Sequence, residues 1–213
     1  MEQKSKKLMI FLAGELQNKD NIRKLIAEND FDFYAADGGY AFAKELAVPL
    51  RKVLGDFDSI HKPQLPDLLV YPSEKDETDA ELALNLALEE GYQEIWFIAP
   101  FGGRLDHTVA NLHLLEKAKQ KNVSLKLYDG VNLAFLLEQG THIISKYRYV
   151  SFFPWGQSST LSLKGFKYPL DHYFLTRAKP IGISNELLRD LASVEVHYGT
   201  LLCICVENEQ EDL

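Results

Sequence analysis

Apolar and polar positions divide this 213-residue chain into two stretches with different rhythms. In the first, short apolar runs alternate with segments whose apolar residues recur at helical spacing. Leu8–Ala13, Phe33–Ala36, Val53-Leu54, Leu68–Tyr71, Glu94–Ala99 and Leu125–Tyr128 read as strands. Between them, Asp20–Asn29 carries Ile22, Leu25 and Ile26 as an apolar stripe, Tyr40–Leu46 is a short helix stopped near Pro49, and a longer helix runs from Asp106 to Lys119. The strongest helix signal is Thr78–Glu90. There Thr78 and Glu81 form a capping box, Leu82 and Leu86 repeat one turn apart, and Gly91 closes the C-terminus. Strands alternating with helices imply a mostly parallel sheet covered by helices, a Rossmann-like α/β sandwich.

Beyond Asp129-Gly130 the rhythm changes to short β-rich runs: Leu133–Leu137, His142–Ile144, Tyr149–Phe153, Thr160–Leu163, Val194–Val196 and Leu201–Val206. Gly, Pro, Asn and Ser separate them and no long helical repeat survives, which predicts a small antiparallel β-sandwich. The expected organisation is therefore an α/β domain over residues 1–128 and a β-sandwich domain over residues 129–213.

Composition narrows the function. The net charge is −8, from 23 basic and 31 acidic residues, which argues against general binding to nucleic acid, because that affinity comes largely from Lys and Arg on phosphates. The apolar run Leu8–Ala13 after the basic Met1–Lys7 is too short for a signal-peptide core or a membrane span, so no membrane association is expected. Cys203 and Cys205 sit two apart in a strand-like run, on one face, without the geometry of a disulfide or a metal knuckle; they read as core thiols of a cytoplasmic protein.

The most informative stretch is Gly55-Asp56-Phe57-Asp58-Ser59, directly after the strand signal Val53-Leu54. In extended backbone Asp56 and Asp58 project the same way. Two readings are open at this point: a pair of carboxylates closing on Mg²⁺, or a solvated turn rich in Asp, Gly and Ser. Ligands in open α/β sheets gather beyond the carboxyl ends of strands. Asp37 in Ala36-Asp37-Gly38-Gly39, Asp79 and Asp106 fall at such junctions too, although helix capping explains Asp79 or Asp106 singly. In Phe101-Gly102-Gly103-Arg104-Leu105-Asp106-His107 the glycines let backbone approach a ligand, the following helix N-terminus attracts phosphate, and Arg104 can grip phosphate oxygens. His107 reads either as an acid–base or phosphate-binding group or as polar surface. No Walker sequence, Gly-x-Gly-x-x-Gly turn or Gly-x-Ser-x-Gly elbow is present.

Taken in order, these segments resemble the thiamin pyrophosphokinase family, in particular its short bacterial members. The resemblance is carried by Ala36-Asp37-Gly38-Gly39, Gly55-Asp56-Phe57-Asp58-Ser59-Ile60, Asp76-Glu77-Thr78-Asp79 and Gly102-Gly103-Arg104-Leu105-Asp106-His107 with Asn111. In the second half Gly165-Phe166-Lys167-Tyr168-Pro169-Leu170 and Gly182-Ile183-Ser184-Asn185-Glu186 match as well. The resemblance implies Mg²⁺-dependent transfer of the pyrophosphoryl group of ATP to the hydroxyl of thiamin, giving thiamin diphosphate and AMP. It also implies a homodimer with shared active sites. Asp56, Asp58, Asp79 and Asp106 are then the metal-holding and catalytic carboxylates. Asp37, Gly38, Gly39, Gly102, Gly103, Arg104 and His107 serve ATP, and Tyr168, Ser184 and Asn185 serve thiamin. Two positions depart from the animal members, which carry Trp in place of Tyr168 and Gln in place of Lys75. The rival expectations are another Mg²⁺-dependent phosphotransferase using a nucleotide, and a non-catalytic nucleotide- or vitamin-binding module.

Overall fold

The computed structural model describes residues 6–55, 68–70, 77–179 and 181–207. Asp56, Asp58, Lys75 and Asp76 lie outside the described residues. The chain divides into two compact units, Met1–Gly130 and Val131–Leu213.

The first unit alternates strand and helix throughout. In chain order it contains β1 (Lys7–Phe11), α1 (Lys19–Ala27), β2 (Phe31–Ala36), α2 (Gly39–Glu45), β3 (Lys52–Gly55), β4 (Leu68–Val70), α3 (Asp79–Glu89), β5 (Glu94–Ile98), α4 (Leu105–Gln120) and β6 (Ser124–Tyr128). The strands run in the order β4-β3-β2-β1-β5-β6, and every pairing among them is parallel. Helices on both faces bury the central strands completely, so these read as unbroken apolar runs rather than alternating ones. Leu8 to Phe11 and Ile95, Phe97 and Ile98 have no exposed surface.

Order reverses at β1: the chain steps outward through β2, β3 and β4, then returns to lay β5 on the other side of β1. Right-handed crossovers put α1 and α2 on one face and α3 and α4 on the other. In agreement, α3 packs beside α4 while α2 packs on β1 and β2. Thr78 caps α3 by accepting from the Glu81 N–H at 3.1 Å, a bond worth about 1 kcal/mol. The Glu81 carboxylate reaches Lys117 of α4 at 2.8 Å, so the second half of the capping box joins two helices.

The second unit contains β7 (Asn132–Leu137), β8 (Gly140–Ser145), β9 (Tyr147–Pro154), β10 (Ser158–Lys164), β11 (Leu170–Thr176), β12 (Leu191–Tyr198) and β13 (Leu201–Glu207). They form a three-stranded group, β7-β13-β9, and a four-stranded sheet, β11-β10-β12-β8, with antiparallel pairing throughout. Phe152 of one sheet meets Phe166 edge-to-face, with ring centroids 5.7 Å apart, inside the sandwich. Cys203 and Cys205 on the central strand β13 are free, fully buried thiols with their sulfurs 3.7 Å apart. Burial pushes the Cys203 thiol up, so it stays neutral. Strand β11 has no counterpart among the sequence expectations. It is an edge strand on which Leu175 alone is buried, so it lacks the alternation that reveals other strands. No described helix is long and apolar enough to cross a membrane.

Glycine is required where β1 and β5 end. A Cβ on Gly14 would lie 2.2 Å from the Phe101 carbonyl oxygen and 2.5 Å from that of Ala99. Gly14→Ala is therefore expected to cost about 1–3 kcal/mol of stability through overpacking, seen as a lower urea midpoint. An unchanged midpoint would contradict this close approach.

Candidate active site

The turns after β1, β2 and β5 and the first turns of α3 and α4 enclose a cleft of about 710 Å³. It opens at the carboxyl ends of the strands, at the point where strand order reverses, which is where open parallel sheets bind ligands. Its walls include Gly14 and Glu15 after β1, Asp37 after β2, Asp79 at the start of α3, Gly102, Gly103 and Arg104 after β5, and His107 and Asn111 on α4.

Of the residues singled out in the sequence, Asp37, Asp79, Gly102, Gly103, Arg104 and His107 therefore share one cavity. Asp37 adopts φ +47°, a left-handed conformation costly for a residue with a Cβ. Its N–H is tied to the Leu54 carbonyl at 2.7 Å, so the β2 turn is held against the end of β3. Asp79 is the first residue of α3, directly after the Thr78 cap, and it lines the cleft. Gly38 and Gly39 are not among the lining residues. A Cβ on Gly39 would fall 2.0 Å from the Phe11 carbonyl oxygen, so this glycine lets α2 sit on the end of β1.

Arg104 and Asp106 pair with each other. The guanidinium gives Nε and Nη2 to the two Asp106 carboxylate oxygens at 3.1 and 2.5 Å, and the His107 N–H adds a third bond at 3.0 Å. Arg104 therefore holds the Asp106 carboxyl down at about 2, with the His107 N–H adding to the effect. Asp106 does not cap α4; the cap position is Arg104 itself. Asn111, buried on α4, donates to the Pro100 carbonyl at 2.8 Å and pins the loop that carries Gly102 to Arg104.

Gly14 and Glu15 are wall residues that no sequence motif singled out. Gly14 permits the β1 turn to approach β5, and Glu15 accepts a hydrogen bond from the Gly103 N–H at 3.2 Å. Ala13-Gly14-Glu15 carries no recognisable motif, so only the tertiary approach of β1 and β5 reveals it. Among the described residues, no three Asp, Glu, His or Cys side chains gather closely enough to hold a metal ion.

In the second unit, Tyr168, Ser184 and Asn185 come together although they are distant in sequence. Tyr168 is 59% exposed, whereas Asn185 is 5% exposed, and its amide bonds the Tyr168 backbone in both directions. Ser184 takes φ +54°, and its N–H is held by the Ser151 hydroxyl at 2.9 Å. Exposed Ile181, Ile183 and Leu188 lie on the same chain segment as Ser184.

A parallel α/β unit with a cleft at its switch point, carried on one chain with an antiparallel sandwich, defines a two-part α/β class of protein. Residues 22–127 match the thiamin pyrophosphokinase catalytic domain, and residues 140–201 match the thiamin pyrophosphokinase vitamin B1 binding domain. The chain is 37% identical to the thiamine pyrophosphokinase of Bacillus subtilis over 164 residues, which cover 72% of this chain and 77% of that one. The crystal structure of a Bacillus subtilis thiamine pyrophosphokinase superposes with a TM-score of 0.84 at 32% identity, covering 96% of this chain and 100% of the other. The thiamin pyrophosphokinase of Geobacillus thermodenitrificans does so with 0.82 at 30%, covering 97% and 100%. The chain belongs to the thiamin pyrophosphokinase family.

Because the folded Asp106 carboxyl lies below its ordinary value near 3.8, the Arg104 pair is fully formed above that value and is lost as pH falls through about 2. In Arg104→Gln the Asp106 carboxyl is expected to titrate back near 3.8, as followed by carbon NMR of the side chain. An inflection remaining near 2 would exclude the ion pair as the cause.

Proposed function

We propose that the protein transfers the pyrophosphoryl group of ATP to the hydroxyl of thiamin, releasing thiamin diphosphate and AMP. The observation that carries this reading is the match of both family domains, in order, with the catalytic match spanning the unit whose cleft collects Asp37, Asp79, Gly102, Gly103 and Arg104. In the reaction the thiamin hydroxyl oxygen bonds to the β-phosphorus. The bond from that phosphorus to the oxygen bridging the α-phosphorus breaks, AMP leaves with its electron pair, and the hydroxyl proton passes to a carboxylate. Such transfer is mostly positioning and electrostatics.

Asp56, Asp58, Asp79 and Asp106 would hold Mg²⁺. All four offer carboxylate oxygens, the hard donors this ion takes, and Arg104 keeps Asp106 ionised. Bound there, the ion would neutralise triphosphate charge. The Gly102-Gly103 backbone approaches the phosphates, Arg104 turns from Asp106 to grip their oxygens, and His107 contacts ATP from the first turn of α4. Asp37 bounds the nucleotide side, with Gly38 and Gly39 acting through the seat of α2 on β1. The base is one of the four carboxylates Asp56, Asp58, Asp79 and Asp106.

Tyr168 offers an aromatic face to the positive ring of thiamin, and Ser184 a hydroxyl, with Asn185 behind them. The protein works in the cytoplasm as a homodimer with shared active sites. The exposed apolar residues around Ser184 and the buried, reduced Cys203 and Cys205 support that reading.

Asp58→Asn and Asp79→Asn are each expected to lower thiamin-dependent AMP formation by on the order of 100-fold or more, with circular dichroism unchanged. Chelation of divalent metal should stop turnover and added Mg²⁺ restore it. Release of ADP, or nucleotide hydrolysis indifferent to thiamin, would contradict the reading. Light scattering behind size exclusion is expected to give twice the chain mass, and a single-chain mass would remove the shared site.

A further inference from the structure

Ser151 and Asn185 are buried polar residues of the second unit, and both bond to the segments bearing Tyr168 and Ser184. Residues 182–185 lie along the outer edge of β9. Val150 and Asn185 exchange both backbone hydrogen bonds, at 2.8 and 2.9 Å, and the Phe152 N–H donates to the Gly182 carbonyl at 2.7 Å. The far end of the same segment pairs with the 165–168 turn: Lys167 N–H donates to the Glu186 carbonyl at 2.8 Å and Leu188 N–H to the Gly165 carbonyl at 2.9 Å.

Side chains complete the clamp. The Asn185 carbonyl accepts from the Tyr168 N–H and the Glu186 N–H, both at 3.0 Å, and its NH₂ donates to the Tyr168 carbonyl at 2.8 Å. Both backbone groups of Tyr168 are thus held by one amide. Ser151, on β9, accepts from the Ser184 N–H and holds that residue at φ +54°. An apolar residue of similar size would fill either space but satisfy none of these groups.

We propose that Asn185 and Ser151 are positioning residues for vitamin recognition, presetting the Tyr168 ring and the Ser184 hydroxyl before the ligand arrives. The proposal rests on the reading of Tyr168 and Ser184 as the thiamin contacts. A site ordered in advance avoids the cost of immobilising side chains on binding, so loosening it weakens binding while the chemical step is spared.

Steady-state kinetics of the full-length enzyme tests this. Asn185→Ala is expected to raise the KM for thiamin roughly five- to tenfold, leaving kcat at saturating thiamin and the KM for ATP essentially unchanged. Ser151→Ala should act in the same direction, and Ser151→Thr, which keeps the hydroxyl, should restore the thiamin KM. Since Asn185 acts through Tyr168, the double variant with Tyr168→Ala should be no worse than Tyr168→Ala alone. Where Asn185→Ala does not fold, Asn185→Asp removes the donor to the Tyr168 carbonyl and is read the same way. If Tyr168→Ala leaves the thiamin KM unchanged, the reading of the vitamin site fails. If Tyr168→Ala raises it while folded Asn185 and Ser151 variants do not, or if the double variant is additive, the positioning role is overturned.

Discussion

The two strands that meet at the switch point of the parallel sheet remain tied together after both have ended. Leu12 N–H bonds the Ile98 carbonyl at 2.9 Å, Gly14 N–H the Ala99 carbonyl at 3.0 Å, and Glu15 N–H the Phe101 carbonyl at 2.6 Å. In an ordinary crossover the chain turns into a helix as soon as the strand stops. Here the chain after β1, from Leu12 to Glu15, stays hydrogen-bonded to the end of β5 and its turn, which only Gly14 permits. Ala99 bends at φ +55° to allow it. The result is a fixed floor from which Gly102, Gly103 and Arg104 project on one side, with Asp37 and Asp79 across the cleft.

Around that floor the charges are arranged in anticipation of a polyanion and cations together. Four carboxylate residues, Glu15, Asp37, Glu77 and Asp79, line the cavity beside an arginine, and that arginine is engaged with Asp106. An ion pair exposed on both sides contributes little to stability. Its value is to keep both charges in place and ionised, ready to be shared with phosphate and metal. In the sandwich unit the logic is different: hydrogen bonds from buried Asn185 and Ser151 order an exposed aromatic ring and a hydroxyl, and the sheet edge at β9 is covered in the process.

Much of this was legible in the sequence because the local signals agree with the tertiary result. Unbroken apolar runs mark the buried parallel strands, Thr78 marks the start of α3, and Gly91 its end. Asp37, Asp79, Gly102, Gly103, Arg104 and His107 were identifiable because each follows a strand signal, and strand ends converge in this fold. Strand order was not legible, since which strand lies beside β1 is decided by contacts distant in sequence. Strand β11 escaped because an edge strand with one buried residue leaves no alternation. Asn185 was legible only through the family resemblance, because Ser-Asn in isolation has the composition of a surface loop; its burial depends on β9 and on Tyr168. Glu15 was invisible for the same reason, its partner Gly103 being 88 positions away.

The account is tested most directly by a crystal structure of the protein with thiamin and a non-hydrolysable ATP analogue. It predicts the triphosphate against the backbone of Gly102 and Gly103, Arg104 turned from Asp106 onto phosphate, and the thiamin ring on the face of Tyr168. Nucleotide bound away from the β1–β5 switch point, or thiamin out of reach of Tyr168 in every subunit, would contradict it.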